Sequence, residues 1–222
     1  MASSTSGTGN DYNFKVVLLG EGCVGKTSLA LRYVEDKFND KHISTVQASF
    51  LNKKLTVDGK KVNLAIWDTA GQEKFHALGP IYYRMSNGAI LVYDITDTHT
   101  FYKVENWVKE LRKMLGSKIC LAIAGNKIDL EKDRAVPIEK AKMFSDQVGA
   151  VHFHTSAKQN QNIEEMFVDL TRRMIHYADE EQKKSTLTRT NTTQRNVVVV
   201  EDDAEQTEPA KSSCCGGSSQ TS

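Results

Sequence analysis

Few of the signals that mark secreted, membrane-spanning or nucleic-acid-binding proteins occur in this chain. Its 222 residues include four cysteines, and their spacing matches neither a disulfide framework nor a zinc site. No run of about eighteen apolar residues and no charged-then-apolar leader is present, so the sequence predicts neither a spanning helix nor a secretory signal. Lysine and arginine number 29 against 28 acidic residues, a net charge of +1. We therefore expect a chain that faces reducing cytosol and has no nucleic-acid partner.

Composition divides the chain into three parts. With 39% apolar and 26% charged residues the sequence can bury a sizeable core, and the apolar patterns lie within residues 14–178. Residues 1–13 and 179–222 are largely polar and are expected to be disordered when alone. Inside the second tail, Val197–Val200 precede three acids, and this run is either an exposed apolar patch or a strand that pairs with a partner. We predict one domain between two tails.

Strand-like and helix-like patterns alternate within the predicted domain. Continuous apolar runs typical of parallel strands covered on both faces occur at 15–20, 88–95 and 119–125. Each is followed by a helical pattern. In the longest, apolar side chains spaced three and four residues apart predict a helix from Phe101 to Leu115 that ends at Gly116.

One pair of strands departs from the parallel pattern. Residues 47–57 and 60–67 flank Asp58-Gly59, a tight-hairpin signal, so we expect these two strands to be antiparallel. The whole pattern predicts an α/β fold, a doubly wound sheet of six strands made mixed by one antiparallel edge strand, with helices on both faces. Ligands of such sheets bind beyond the carboxyl ends of the strands.

A glycine-rich loop follows the first apolar run. Residues 20–27 read Gly-Glu-Gly-Cys-Val-Gly-Lys-Thr, and a strand before them with a helix after them is the context that a phosphate-binding loop requires. Lys26 can reach the terminal phosphates of a nucleotide, and the Thr27 hydroxyl can ligate Mg²⁺. The predicted phosphate contacts are Gly20, Gly22, Cys23, Val24, Gly25, Lys26 and Thr27.

An acidic motif follows the second strand of the predicted hairpin. Asp68 ends an apolar run, where a phosphate-loop protein places the acid that holds Mg²⁺. Gly71 can bring a backbone N–H close to a γ-phosphate. Gln72 can orient a water for in-line attack because its amide both donates and accepts. Together with the glycine loop, this motif predicts a nucleoside triphosphate site.

Two further motifs concern the choice of base. In Asn126-Lys127-Ile128-Asp129, the Asp129 carboxylate can accept from guanine N1–H and N2–H₂, a pair that adenine lacks. Asn126 is expected to brace the loops and the stem of Lys127 to cover one ring face. A predicted strand is followed by Ser156, Ala157 and Lys158, and a backbone N–H of this segment can donate to the guanine carbonyl. The motifs in this order predict GTP and GDP as ligands.

These motifs, in this order, resemble those of the Ras superfamily of small GTPases. Tyr82-Tyr83-Arg84, Tyr93-Asp94-Ile95-Thr96 and the pair Cys214-Cys215 make the chain similar to the Rab family. Residues 37–50 and 75–80 are similar to its endosomal branch. Two residues depart from the pattern, because Gln47 and Met85 stand where most Rab proteins have glycine. These two departures bear on which effectors and exchange factors the chain binds, and they do not bear on the binding of GTP.

The resemblance implies further site residues. Thr45 matches the threonine of the first switch region, which would ligate Mg²⁺ together with Thr27 and Asp68. Phe38 matches the aromatic residue that packs beside the guanine, and Ser28 a residue near the α-phosphate. The triad through which Rab effectors read the switch regions is matched by Phe50, Trp67 and Tyr82, although ordinary core packing would explain the same residues. The residues expected to act in hydrolysis are Lys26, Thr45 and Gln72.

The resemblance also implies a cycle of partners. These are a guanine nucleotide exchange factor, a GTPase-activating protein, a GDP dissociation inhibitor, an escort protein and effectors that bind the GTP state. No arginine occurs between Arg32 and Arg84, so the switch regions contain none that could stabilise the transition state in cis. We therefore expect slow hydrolysis that depends on an activating protein.

Membrane attachment is a further expectation from the resemblance. Prenylation of Cys214 and Cys215 would place the protein on the cytoplasmic face of early endosomal membranes, cycling with the cytosol. Residues 216–222 follow this pair, whereas Rab cysteines usually lie closer to the terminus. An unmodified pair in a flexible tail is therefore the alternative.

Three other functions fit parts of the pattern. A phosphate-loop kinase would bind ATP, which the guanine-specific Asp129 argues against. A module that binds GTP without hydrolysing it would not need Gln72. A translation GTPase would normally bring large RNA-facing domains, for which this chain lacks the length and the basic charge.

Overall fold

The computed structural model describes residues 11–41, 45, 48–71 and 79–192, with side chains except at 79–80, 117 and 186–192. Its strands are β1 (Tyr12–Leu19), β2 (Ser49–Val57), β3 (Lys60–Asp68), β4 (Gly88–Asp94), β5 (Cys120–Asn126) and β6 (Val151–His154). Its helices are α1 (Lys26–Glu35), α2 (Gly79–Tyr83), α3 (Thr98–Leu115), α4 (Ile138–Gln147) and α5 (Ile163–Thr192). Within the described residues, 3₁₀ turns cover Gly116–Lys118 and Ile128–Asp133.

The strands form one sheet in the order β2-β3-β1-β4-β5-β6. The β2–β3 pair is antiparallel and the other pairs are parallel. At the hairpin turn both Asp58 and Gly59 have positive φ, 49° and 78°, as a two-residue turn that matches the twist of its strands requires. The predicted six-stranded mixed sheet with one antiparallel edge strand is confirmed.

Strand β1 begins earlier than we predicted. The apolar run suggested a start at Lys15, but the strand begins at Tyr12 and pairs with β3 from Val62 onward. Tyr12 and Phe14 are buried while Asn13 between them is exposed, because alternate side chains of a strand point to opposite faces. This period-two start is too short to stand out from a polar tail in the sequence.

Helices cover both faces of the sheet. On one face, Val16 and Leu18 of β1 belong to a buried cluster with residues of α1 and α5. On the other, Val17 and Leu19 belong to a cluster with residues of α3 and α4. The fully buried β4 (Gly88–Asp94) lies between these layers. The doubly wound arrangement follows from the continuous apolar runs, which need cover on both sides.

Helix α3 follows the predicted period. It begins at Thr98, before the first apolar residue of the pattern, because the Asp97 side chain accepts a hydrogen bond from the His99 N–H. It ends where Gly116 takes φ 72°, a backbone conformation that glycine adopts without strain.

Helix α5 continues past residue 178, where we placed the end of the domain, and runs to Thr192. Two compact units divide at Lys183 and Lys184. The predicted domain limits therefore stay a prediction. Among the described residues, no helix is both long and apolar enough to cross a lipid bilayer.

Candidate nucleotide-binding site

A cavity of about 340 Å³ opens at the carboxyl ends of the strands. Predicted residues that line it are Gly22, Cys23, Gly25, Lys26, Thr27, Ser28, Phe38, Thr45, Gly71, Asn126, Lys127, Asp129, Ala157 and Lys158. It is also lined by four residues that the sequence reasoning missed, Asn39, Asp40, Thr69 and Leu130. The parallel topology explains this convergence, because β1, β3, β5 and β6 all end at the same edge.

The glycine-rich loop connects β1 to α1. Gly25 immediately precedes α1 with φ 95°, and a β-carbon there would lie 2.4 Å from the Asn126 amide nitrogen. Cys23 also has positive φ, at 62°. The loop therefore needs glycine at position 25, both for the backbone turn and for close packing against the end of β5. Backbone N–H groups at a helix N-terminus suit an anion.

Lys26 lies at the centre of this loop. Its side chain is buried, and its ammonium donates to the backbone carbonyls of Gly20 at 2.8 Å and Glu21 at 2.7 Å. Burial lowers the pKa of Lys26 to about 8, against the opposing effect of the Asp68 carboxylate. The amine is therefore still mostly charged near neutral pH, and an anionic phosphate would hold it charged more firmly.

The three side chains predicted to hold Mg²⁺ lie within hydrogen-bonding distance of one another around Thr27. The Thr27 hydroxyl donates to Asp68 Oδ2 at 2.6 Å and lies 2.7 Å from the Thr45 hydroxyl oxygen. Asp68 is fully buried at the end of β3. Two hydroxyls and one carboxylate are hard oxygen donors, which Mg²⁺ prefers, and a nucleotide would supply its phosphate oxygens beside them. The residues present fit the predicted ion.

Asn126 joins the phosphate loop to the base-recognition loops. Its amide nitrogen donates to the Val24 carbonyl at 2.9 Å. Its oxygen accepts from the Thr155 hydroxyl and the Ala157 N–H, each at 3.3 Å. All four residues are buried. The bracing role that the sequence suggested for Asn126 is the geometry observed.

Asp129 and Ser156 form a hydrogen-bonded pair. The buried Ser156 hydroxyl donates to Asp129 Oδ1 at 2.5 Å and accepts from the Gln159 N–H at 3.0 Å. Ser156 is absent from the cavity lining, which includes Asp129 and Ala157. Its side chain thus orients the carboxylate that we predict to read guanine.

An ion pair that the sequence reasoning missed fixes Lys127. The Lys127 ammonium lies 2.6 Å from Asp94 Oδ2. Asp94 Oδ1 in turn accepts from the N–H and the hydroxyl of Thr96. Asp94 ends β4, the strand next to β5. Its place at a strand end beside a known motif was the signal that could have indicated this role.

The predicted effector triad lies together outside the cavity. The Phe50 and Trp67 rings meet edge to face at 5.5 Å, and the Trp67 and Tyr82 rings lie 6.4 Å apart. Trp67 and Tyr82 are half-buried, whereas Phe50 is 49% exposed. Trp67 and Tyr82 also pack against the core cluster that contains Val17 and Leu19, so core packing accounts for these two rings, and the effector role of the triad stays a prediction.

Several predicted residues lie outside the described residues. They are Gln72, the Val197–Val200 run, Cys214 and Cys215. Their roles remain predictions from the sequence.

Known proteins match most of this chain. Residues 15–176 match the Ras family. Ras-related protein Rab-21 of Homo sapiens is 74% identical over 170 residues, which cover 77% of this chain and 76% of the relative. The Bos taurus protein of the same name is 73% identical over 170 residues, 77% of each chain. The Dictyostelium discoideum protein of that name is 60% identical over 168 residues, 76% of this chain and 79% of the relative. The chain therefore belongs to the Ras family and, within it, to the Rab-type small GTPases.

Proposed function

We propose that the protein is a guanine-nucleotide switch that hydrolyses GTP to GDP and regulates endosomal membrane trafficking by recruiting effectors in the GTP state. The observation that carries this proposal is one cavity lined by the phosphate loop, by Thr27 and Thr45, and by Asp129, the residue that we predict to read guanine. The Asp68 carboxylate is hydrogen-bonded to Thr27 at this cavity. The identity to proteins named Rab-21 supports the same conclusion.

Hydrolysis requires charge on the phosphates to be held while water attacks in line. The Lys26 ammonium and the loop N–H groups would hold that charge from one side. Thr27, Thr45 and Asp68 would hold Mg²⁺, which when bound neutralises charge on the β- and γ-phosphates. Gln72 is the residue that we propose to orient the attacking water. Since residues 33–83 contain no arginine that could stabilise the transition state, the reaction is expected to be slow without an activating protein.

Switching would come from the two segments that reach the γ-phosphate. Thr45 and Gly71 both line the cavity, and contact with the γ-phosphate would order them in the GTP state and release them after hydrolysis. Effectors would then recognise this change by binding a surface formed by the exposed Phe50 together with Trp67 and Tyr82. An exchange factor, an activating protein, a GDP dissociation inhibitor and an escort protein complete the proposed cycle.

Phosphate release from GTP in a single turnover tests the catalytic part of the proposal. We expect Mg²⁺-dependent release from GTP, none from ATP, and a loss of about tenfold or more in Gln72→Leu, which cannot orient water. GTP binding with no release in the unmodified chain would instead indicate a binding-only module. Release from ATP at the same rate would contradict the role of Asp129.

Membrane attachment needs its own measurement. We propose that prenyl groups on Cys214 and Cys215 anchor the protein to early endosomes. The mass of the C-terminal peptide, taken separately from membrane and soluble fractions of native cells, should show two isoprenoid adducts in the membrane form. An unmodified peptide in both fractions would contradict the anchor and leave the GTPase activity unaffected.

A further inference from the structure

Arg32 in the last turn of α1 contacts a loop that lies far from it in the sequence. Its Nε donates to the Ala157 carbonyl at 3.0 Å, and one of its terminal nitrogens donates to the Asp36 carbonyl at 3.1 Å and to Asp36 Oδ1 at 3.0 Å. The other terminal nitrogen lies 3.5 Å from the Lys158 carbonyl. The Arg32 side chain is 15% exposed while that of Asp36 is 78% exposed. The guanidinium therefore holds the segment after α1 and the loop after β6 at the same time.

The same guanidinium also contacts the aromatic residue at the base end of the cavity. The Arg32 Cζ atom lies 5.7 Å from the centre of the Phe38 ring. Phe38 lines the nucleotide cavity, and Arg32 lines an adjacent cavity shared with Phe38 and Asn39. Arg32 thus lies beside the Phe38 ring, at a distance that favours a cation–π contact.

Two polar contacts join the same segments at their exposed rim. Asn160 Nδ2 donates to Asp36 Oδ1 at 3.4 Å, and Lys158 Nζ lies 3.6 Å from Asp40 Oδ1. We call the segment 32–40 together with the loop 157–160 the base clasp. Exposed ion pairs contribute little, so the partly buried Arg32 is the member expected to carry most of the energy. Its planar guanidinium presents N–H groups in fixed, divergent directions, whereas a lysine offers one compact ammonium at the end of a flexible stem.

We propose that Arg32 is a positioning residue that sets the residence time of guanine nucleotides by keeping the base clasp closed. This inference rests on the proposed function, since it assumes that the base lies between Phe38 and Ala157. Arg32 holds the Ala157 carbonyl, and Ala157 belongs to the loop from which we expect a backbone N–H to meet the guanine carbonyl. Opening the clasp would loosen both walls of the base site without moving Lys26, Thr27 or Asp68 at the phosphate end.

Release of radiolabelled GDP from the full-length chain tests the clasp. Arg32→Gln should release GDP about tenfold faster, because it loses charge-assisted hydrogen bonds that also brace the bound base. Arg32→Lys should fall between Arg32→Gln and the unmodified chain. The acceleration should be the same with Mg²⁺ and with a chelator, and single-turnover cleavage of bound GTP should change by less than about twofold. A residue that merely stabilises the fold would show no such separation of release from cleavage.

Arg173→Gln is a matched control. Arg173 also pairs with a carboxylate on its own helix, Asp169 at 2.9 Å, and donates to a distant carbonyl, that of Leu121 at 2.9 Å. Leu121 lies at the start of β5, away from Asn126 at the site end. We expect this variant to lose thermal stability and to release GDP at the rate of the unmodified chain.

Each contrary result has a distinct meaning. Equal acceleration in Arg32→Gln and Arg173→Gln would assign the effect to general stability and overturn the clasp. So would unchanged release in Arg32→Gln, or a change confined to the Mg²⁺-bound state, which would point to the phosphate end. Failure of the unmodified chain to retain GDP would contradict the proposed function itself.

Discussion

Replacing Asn126 by alanine should loosen the nucleotide site, because its side-chain amide joins two loops of that site. The amide bridges Val24 of the phosphate loop to Thr155 and Ala157 of the base-recognition loop. Alanine would leave one carbonyl, one hydroxyl and one N–H without that partner in a region where all the residues are buried.

The magnitude follows from these three groups. A buried polar group left without a hydrogen bond costs about 1–3 kcal/mol. Two of the three bonds are long, at 3.3 Å, so the low end of the range applies to them. The sum is about 3 kcal/mol, which corresponds to roughly a hundredfold in an equilibrium constant.

Two measurements check this estimate. Urea unfolding at saturating GDP and Mg²⁺ should show a loss of about 3 kcal/mol for Asn126→Ala, and GDP release should be faster by up to about a hundredfold. Asn63→Ala is the matched control, because the Asn63 amide donates to the exposed Asn13 at 3.3 Å, and a change under about 0.5 kcal/mol is expected. If Asn126→Ala behaves like the control in both assays, the amide does not brace the loops.

Three further changes have defined outcomes. In Gly71→Ala, the new β-carbon would lie 2.4 Å from the Glu21 carbonyl oxygen, so the backbone at position 71 must move away from the expected site of the γ-phosphate. The ratio of GTP to GDP affinity should therefore fall about tenfold in a competition assay. An unchanged ratio would contradict this geometry. Asp129→Asn should weaken GTP binding by about a hundredfold or more and favour xanthosine triphosphate, whose C2 carbonyl suits an amide donor. If the ratio of the affinities for these two nucleotides is the same in the variant and the unmodified chain, Asp129 does not read the base. Burial lowers the pKa of His152, which hydrogen-bonds to Tyr93, from 6.5 to about 3. The unfolded chain then binds more protons between those values, so stability falls as the pH drops through that window, and from about pH 7 to 5.5 the chain should lose about 1 kcal/mol more than His152→Gln in urea unfolding. Equal losses would show that His152 titrates in the fold as it does in the unfolded chain.

The sequence predicted the fold class because its signals are local. Continuous apolar runs indicated parallel strands, and Asp58-Gly59 indicated the antiparallel pair. The start of β1 was missed because Tyr12 is buried through a distant contact, its hydroxyl donating to Asp179 at 2.6 Å. The alternation of Tyr12, Asn13 and Phe14 is too short to stand out, and a partner in the last helix adds no signal to the sequence around it.

By itself, the sequence determined which motifs bind phosphate and read the base, since those chemistries need particular residue types in a short, ordered run. It did not determine how these residues are held. The hydrogen bond from Ser156 to Asp129, the ion pair of Asp94 with Lys127 and the contacts of Arg32 with Ala157 were decided by tertiary structure alone. Each joins residues that are far apart in the chain, and only the meeting of parallel strands at one edge of the sheet brings such partners within hydrogen-bonding distance.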